Sequence, residues 1–195
     1  MKIPIITDLI NFFSTIPGVG NKSAERFVFA LIKKEPSELQ KFISDLEKIK
    51  NITNCEICNN LTFNEKCDIC EDKMRDNNII CVVDDIKNIL LLENNKIFNG
   101  RYFLLNNLIN PIQGVDIEKI NFKQLEQMIN KYDTNELLLA LKSSIEGETT
   151  ALYISKLYKN KLKVTKLAQG VPLGAEIEYL DLLTIEQAFK DRKEF

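Results

Sequence analysis

Four cysteines constrain this chain more than any other feature. They read Cys55-x2-Cys58-x8-Cys67-x2-Cys70. Each C-x2-C pair lets two sulfurs reach one ion from a tight turn, and two such turns complete a tetrahedron. All four ligands would be thiolates, which leaves no open position for water or substrate. The site therefore reads as structural Zn2+, one per chain, and not as a catalytic metal. The short spacer requires the two turns to pack closely. The competing reading is a pair of redox dithiols or free thiols. The fifth cysteine, Cys81, sits inside an apolar run and reads as a small buried hydrophobe.

The 195 residues include no histidine. That excludes Ser-His-Asp and Cys-His nucleophiles and any His-ligated metal. Acid–base chemistry would fall to carboxylates, Lys, Tyr or Cys. Lys plus Arg number 26 against 28 Asp plus Glu, a net charge of −2. Any attraction to nucleic acid must therefore be local. The first residues lack the long apolar run of a signal peptide, and no stretch reaches the roughly 18 apolar residues of a membrane span. The expectation is a cytoplasmic protein with no membrane contact, whose cysteines serve as ligands or core rather than disulfides.

The first third of the chain is helical in pattern. Residues 5–34 read as two short helices around Pro17-Gly18-Val19-Gly20, and Ser37 to Lys48 as a third with Leu39, Phe42, Ile43 and Leu46 on one face. A Gly-x-Gly turn that opens a helix presents unpaired N–H groups at the positive end of the helix dipole, where a phosphate fits and glycine permits its approach. Lys22 and Arg26, four apart, share a helix face beside that turn, and Lys33 and Lys34 extend the charge. Contact of this kind carries no base-sequence information. The bland alternative is a helical hairpin whose glycines serve only the turn.

After Asn78 the pattern changes to alternating strands and helices. Ile79 to Val83, Arg101 to Leu105, Glu136 to Leu141 and Leu162 to Leu167 read as strands. Segments 87–95, 122–132, 149–158 and 185–192 read as helices, so the expectation is a three-layer α/β domain. The continuous apolar run of the first strand suits a parallel sheet covered on both faces. Asp84 and Asp85 follow that strand, where open α/β sheets place ligands, and Glu146-Gly147-Glu148 is expected in the loop after the Glu136 strand. Mg2+-assisted phosphodiester chemistry would need such acids to converge. The intervening Lys142-Ser143-Ser144 weakens that reading, and the alternative is acids that favour a helix start. Lys156, Lys159, Lys161, Lys163 and Lys166 form a run that is either a solvated face or a second route to DNA.

In this order the features resemble the RecR family of bacterial recombination mediators. The resemblance rests on Ile16-Pro-Gly-Val-Gly-Asn-Lys-Ser-Ala24, the four cysteines, Ile80-Cys-Val-Val-Asp84, Phe98-Asn-Gly-Arg-Tyr102, Asn110-Pro-Ile-Gln-Gly114, Ile145-Glu-Gly-Glu-Thr-Thr-Ala-Leu-Tyr153 and the block from Leu167 to Gly174. It implies a helix-hairpin-helix region over 1–53, a four-cysteine zinc finger over 54–75, a Toprim-type parallel α/β domain over 78–173, and a C-terminal oligomerisation segment over 174–195. It implies no enzymatic turnover, DNA as ligand, RecF and RecO as partners in loading RecA, and a homotetrameric ring. On the matching positions Gly18, Gly20, Lys22 and Arg26 would contact DNA. Cys55, Cys58, Cys67 and Cys70 would hold zinc, and Asp84, Glu146 and Glu148 would be Toprim acids that serve partner contacts. Enzymatic Toprim domains carry Glu where this chain has Asp84, and paired aspartates where it has Lys142 and Ser144. Two alternatives stay open: a Mg2+-dependent Toprim nuclease or primase, and a zinc-stabilised scaffold that does not touch DNA.

Overall fold

The structure is a computed structural model that describes residues 3–168 and 170–192. Residues 1–2 and 193–195 of the expected terminal segments, and Gln169 of the Leu167–Gly174 block, lie outside the described residues. The chain divides between Ile52 and Thr53 into two compact units.

The first unit is three helices, α1 (Pro4–Ser14), α2 (Asn21–Ile32) and α3 (Pro36–Ile49). Pro4 and Pro36 stand at helix starts, where a missing N–H costs nothing. Between α1 and α2 the chain turns through Gly18 at φ +82°, a left-handed conformation that favours glycine. The two helices pack together, with Phe13 against Phe27 edge-to-face at 6.0 Å and Ala24 and Val28 buried. The apolar stripe of α3 differs from a core stripe: Phe42, Ile43 and Leu46 all remain exposed.

The second unit opens with a two-stranded antiparallel ribbon, β1 (Thr53–Asn54) with β2 (Leu61–Thr62), and the short helix α4 (Asp68–Glu71). A four-stranded sheet follows, in the order β4 (Arg101–Leu104), β3 (Ile79–Val83), β5 (Glu136–Ala140), β6 (Lys163–Lys166), with every pair parallel. Strand alternation sorts its side chains. Ile80, Val82, Phe103, Leu137 and Leu139 face one core, shared with Leu125 and Met128 of α6 (Phe122–Tyr132) and Ile154 of α7 (Ile145–Tyr158). Cys81, Val83 and Tyr102 face a smaller core on the other side, closed by Ile89 of α5 (Ile86–Asn94). The expected layers are present. Cys81 is buried there, and burial pushes its thiol up to about 12. The last helix, α8 (Leu182–Lys190), begins three residues before the expected start because the Asp181 side chain accepts from Thr184 N at 2.9 Å.

The start of α7 corrects the sequence reading. Glu146, Gly147 and Glu148 are not a loop but the first turn of the helix. Ser144 caps it, its hydroxyl accepting from Gly147 N at 3.2 Å, and both acids lie where the macrodipole favours negative charge. Gly147 is required by space: a Cβ there would stand 2.0 Å from the carbonyl oxygen of Lys142.

Candidate metal centre, switch-point acids and hairpin face

The ribbon and α4 bring Cys55, Cys58, Cys67 and Cys70 together. All four are buried, and their sulfurs lie within 4.8 Å of one another. Among the described residues no other group of three or more His, Cys, Asp or Glu side chains converges in this way. The sulfurs of Cys58 and Cys67 lie 3.5 Å apart. A tetrahedral ion with Zn–S of about 2.3 Å would set sulfur–sulfur edges of about 3.8 Å, so the cage fits such an ion. Each turn is shaped by its backbone. Asn59, at φ +63°, takes the left-handed position after Cys58, and Asn59 N donates to Cys55 O at 2.9 Å. Cys67 N donates to the Cys55 sulfur at 3.3 Å. Hydrogen bonding among the sulfurs couples the thiols: contact with Cys58 lowers the Cys55 thiol, and the same contact raises that of Cys58. A divalent cation would take the place of those shared protons.

This centre is built into the sheet domain. Leu104 N, at the end of β4, donates to Cys58 O at 2.9 Å, and the Asn59 side chain donates to Leu104 O at 2.9 Å. Gln124 of α6 donates to Glu56 O at 2.9 Å. The cysteines belong to the same apolar cluster as Ile80, Phe103 and Leu137. Gln124 does not stand out in the sequence; an Asn directly after a C-x2-C pair is the one local signal.

The acids lie at the topological switch point, where β3 leads outward to β4 and β5 to β6. Each has its own partner. The Asp84 carboxylate accepts from Lys142 N at 3.3 Å. Asp85 caps α5 through Lys87 N at 2.9 Å. Glu146 accepts from the Ser144 hydroxyl at 2.7 Å and from Asn110 at 3.4 Å, and the Ser144 bond lowers its pKa. Glu148 pairs with Lys166 at 2.5 Å. Asp84, Glu146 and Glu148 are thus brought to one end of the sheet but not into one ligand set.

The lysine run is largely absorbed by acids remote in sequence. Lys161 meets Glu126 at 3.2 Å, Lys163 meets Glu136 at 2.8 Å, and Lys166 meets Glu148. On the hairpin, Gly20 is the N-cap of α2, and among the described residues no side chain caps that end. The first N–H groups of α2 therefore face outward unused by side chains. Lys22 and Arg26 are exposed on that helix, and among the described residues neither is in an ion pair, whereas Lys34 pairs with Glu38 at 3.1 Å.

Comparison with known proteins covers 97% of the chain. Residues 6–50 match the family model described as RecR, helix-hairpin-helix; residues 78–168 match the Toprim domain; residues 170–193 match RecR, C-terminal. The chain is 38% identical over 191 residues to the recombination protein RecR of Natranaerobius thermophilus, covering 97% of this chain and 96% of that one. It is 39% identical over 191 residues to the recombination protein RecR of Staphylococcus aureus strain MRSA252, with the same coverage. Among the described residues no helix is long and apolar enough to cross a membrane.

Proposed function

The chain belongs to the RecR family of recombination proteins, and from that premise we propose that it is a DNA-binding repair protein without turnover. It acts in the cytoplasm with RecF and RecO to help load RecA on single-stranded or gapped DNA. The observation that carries this reading is the hairpin. The outward N–H groups of α2 and the cations Lys22 and Arg26, in no ion pair among the described residues, make one phosphate-binding face on a chain whose sum is −2. Gly18 and Gly20 let the backbone approach the phosphate.

Self-association multiplies that face. The exposed stripe of α3, together with Ile5 and Phe12 on α1, is apolar surface that a single chain leaves uncovered. The segment after Gly170 exposes Leu173, Tyr179 and Phe189 as well. A homotetrameric ring covers both sets and brings several hairpins around one duplex, where summed phosphate contacts supply affinity. The cysteine cage holds Zn2+ as a structural ion. Asp84, Glu146 and Glu148 serve protein contacts, an assignment supported by their separate partners and by the ion pair that neutralises Glu148.

Molar mass in solution, with and without gapped DNA and RecO, tests the reading. A tetramer that adds mass with both is the expected result. A monomer that gains no mass with either contradicts it.

A further inference from the structure

We infer that Arg101 is the counter-charge of the cysteine-held metal and raises its affinity through charge. Arg101 opens β4, an edge strand of the sheet, and is only 3% exposed. Its guanidinium is used on every side. Nε donates to the Asn77 side chain at 2.6 Å, Nη1 to Ile69 O at 2.9 Å and Cys70 O at 3.3 Å, and Nη2 to Asp72 O at 3.0 Å. The planar group stacks 4.0 Å over the Tyr132 ring, whose hydroxyl also donates to Cys70 O at 3.3 Å.

No carboxylate is among those partners, and among the described residues Arg101 forms no ion pair. A buried cation held by carbonyls alone is costly unless a nearby negative charge compensates it. The cage supplies one: four thiolates and one Zn2+ sum to about −2. Arg101 grips the carbonyl of one ligand, Cys70, and of its neighbour Ile69. It therefore places a fixed positive charge against the α4 end of the cage and holds that turn in register with the sheet. Groups that orient and electrostatically support metal ligands in this way commonly contribute about 10–100-fold to affinity. A lysine would keep the charge while losing the fork, so the two contributions separate.

The inference rests on the cysteines holding Zn2+. The test is zinc affinity by chelator competition on the full chain, with circular dichroism as the check on fold. In wild type, one zinc per chain is expected; its absence overturns the metal reading and this inference with it. Arg101→Gln is expected to weaken zinc binding about 10–100-fold, and Arg101→Lys by no more than about threefold. Equal losses in the two variants, or zinc affinity within about twofold of wild type in Arg101→Gln, overturn the role of charge while leaving zinc occupancy intact. If Arg101→Gln does not fold, Arg101→Lys decides alone: near-wild-type affinity supports the inference, and a loss beyond about tenfold in a folded protein overturns it.

Discussion

At the cysteine cage four buried sulfurs lie within 4.8 Å of one another, and neighbouring backbone shapes each turn around them. At the carboxyl ends of β3 and β5, Asp84, Glu146 and Glu148 are also potential ligands, but each turns to a different partner: a backbone N–H, a serine hydroxyl, a lysine. The contrast lies in what surrounds the groups, not in how many there are. Buried thiols that meet one another and the N–H groups of their own turns are left to share protons or a metal. Half-exposed acids at a helix start are satisfied by the macrodipole, their cap and a cation. A metal therefore has a ready place in the first site and must displace existing bonds in the second.

The largest way to break that contrast is to disturb the cage. Cys58→Ser is expected to lower the melting temperature by about 10 °C or more, because metal binding and folding of such sites are one equilibrium. A melting curve unchanged in the variant, or after zinc removal, contradicts the structural role. Next, Gly147→Ala drives a Cβ against the Lys142 carbonyl 2.0 Å away and should cost about 2–3 kcal/mol by denaturant unfolding. A neutral result means that α7 shifts freely and that the switch-point geometry is loose.

A smaller effect is expected where Arg75 joins the approach to β3 to α5 through a bidentate bond to Glu93. That bond holds the Glu93 carboxyl below its ordinary 4.5. Its stabilisation is therefore present above about pH 4.5 and is lost as pH falls through the lower folded value. Glu93→Gln should remove about 1–2 kcal/mol at pH 7 and progressively less as the solution is acidified below the folded value, measured as urea midpoints across that range. The smallest effect is expected at the acids. Glu146→Gln should leave DNA affinity within about twofold, and neither variant nor wild type should nick plasmid with Mg2+. Mg2+-dependent nicking lost in Glu146→Gln would make the acids a metal site after all.

Much of this was legible in the sequence for physical reasons. The spacing of Cys55 to Cys70 dictates convergence, because paired turns leave the sulfurs no other direction. The β-branched run at Ile79–Val83 is too apolar to be anything but a covered strand, and it is covered on both faces as expected. The α7 start was less legible. Its cap, Ser144, follows another Ser and a Lys, so the run reads as a polar loop until the Gly147 N–H is seen on Ser144. The charge balance of the lysine run depends on Glu126, Glu136 and Glu148, which only the fold brings near. Arg101 reads as the polar edge of a strand, because its carbonyl partners lie some thirty residues upstream. The α3 stripe has core periodicity but stays exposed, since periodicity marks a face to be covered and not what covers it.

The central claim is that Lys22 and Arg26 bind DNA through phosphates. The direct measurement is DNA affinity of wild type and of Lys22→Ala/Arg26→Ala by fluorescence anisotropy across about 50–200 mM salt. The claim predicts that wild-type affinity falls steeply with salt, and that the folded variant binds at least about tenfold more weakly with a shallower slope. Wild-type affinity that does not change with salt, or a variant that binds as tightly as wild type, contradicts it.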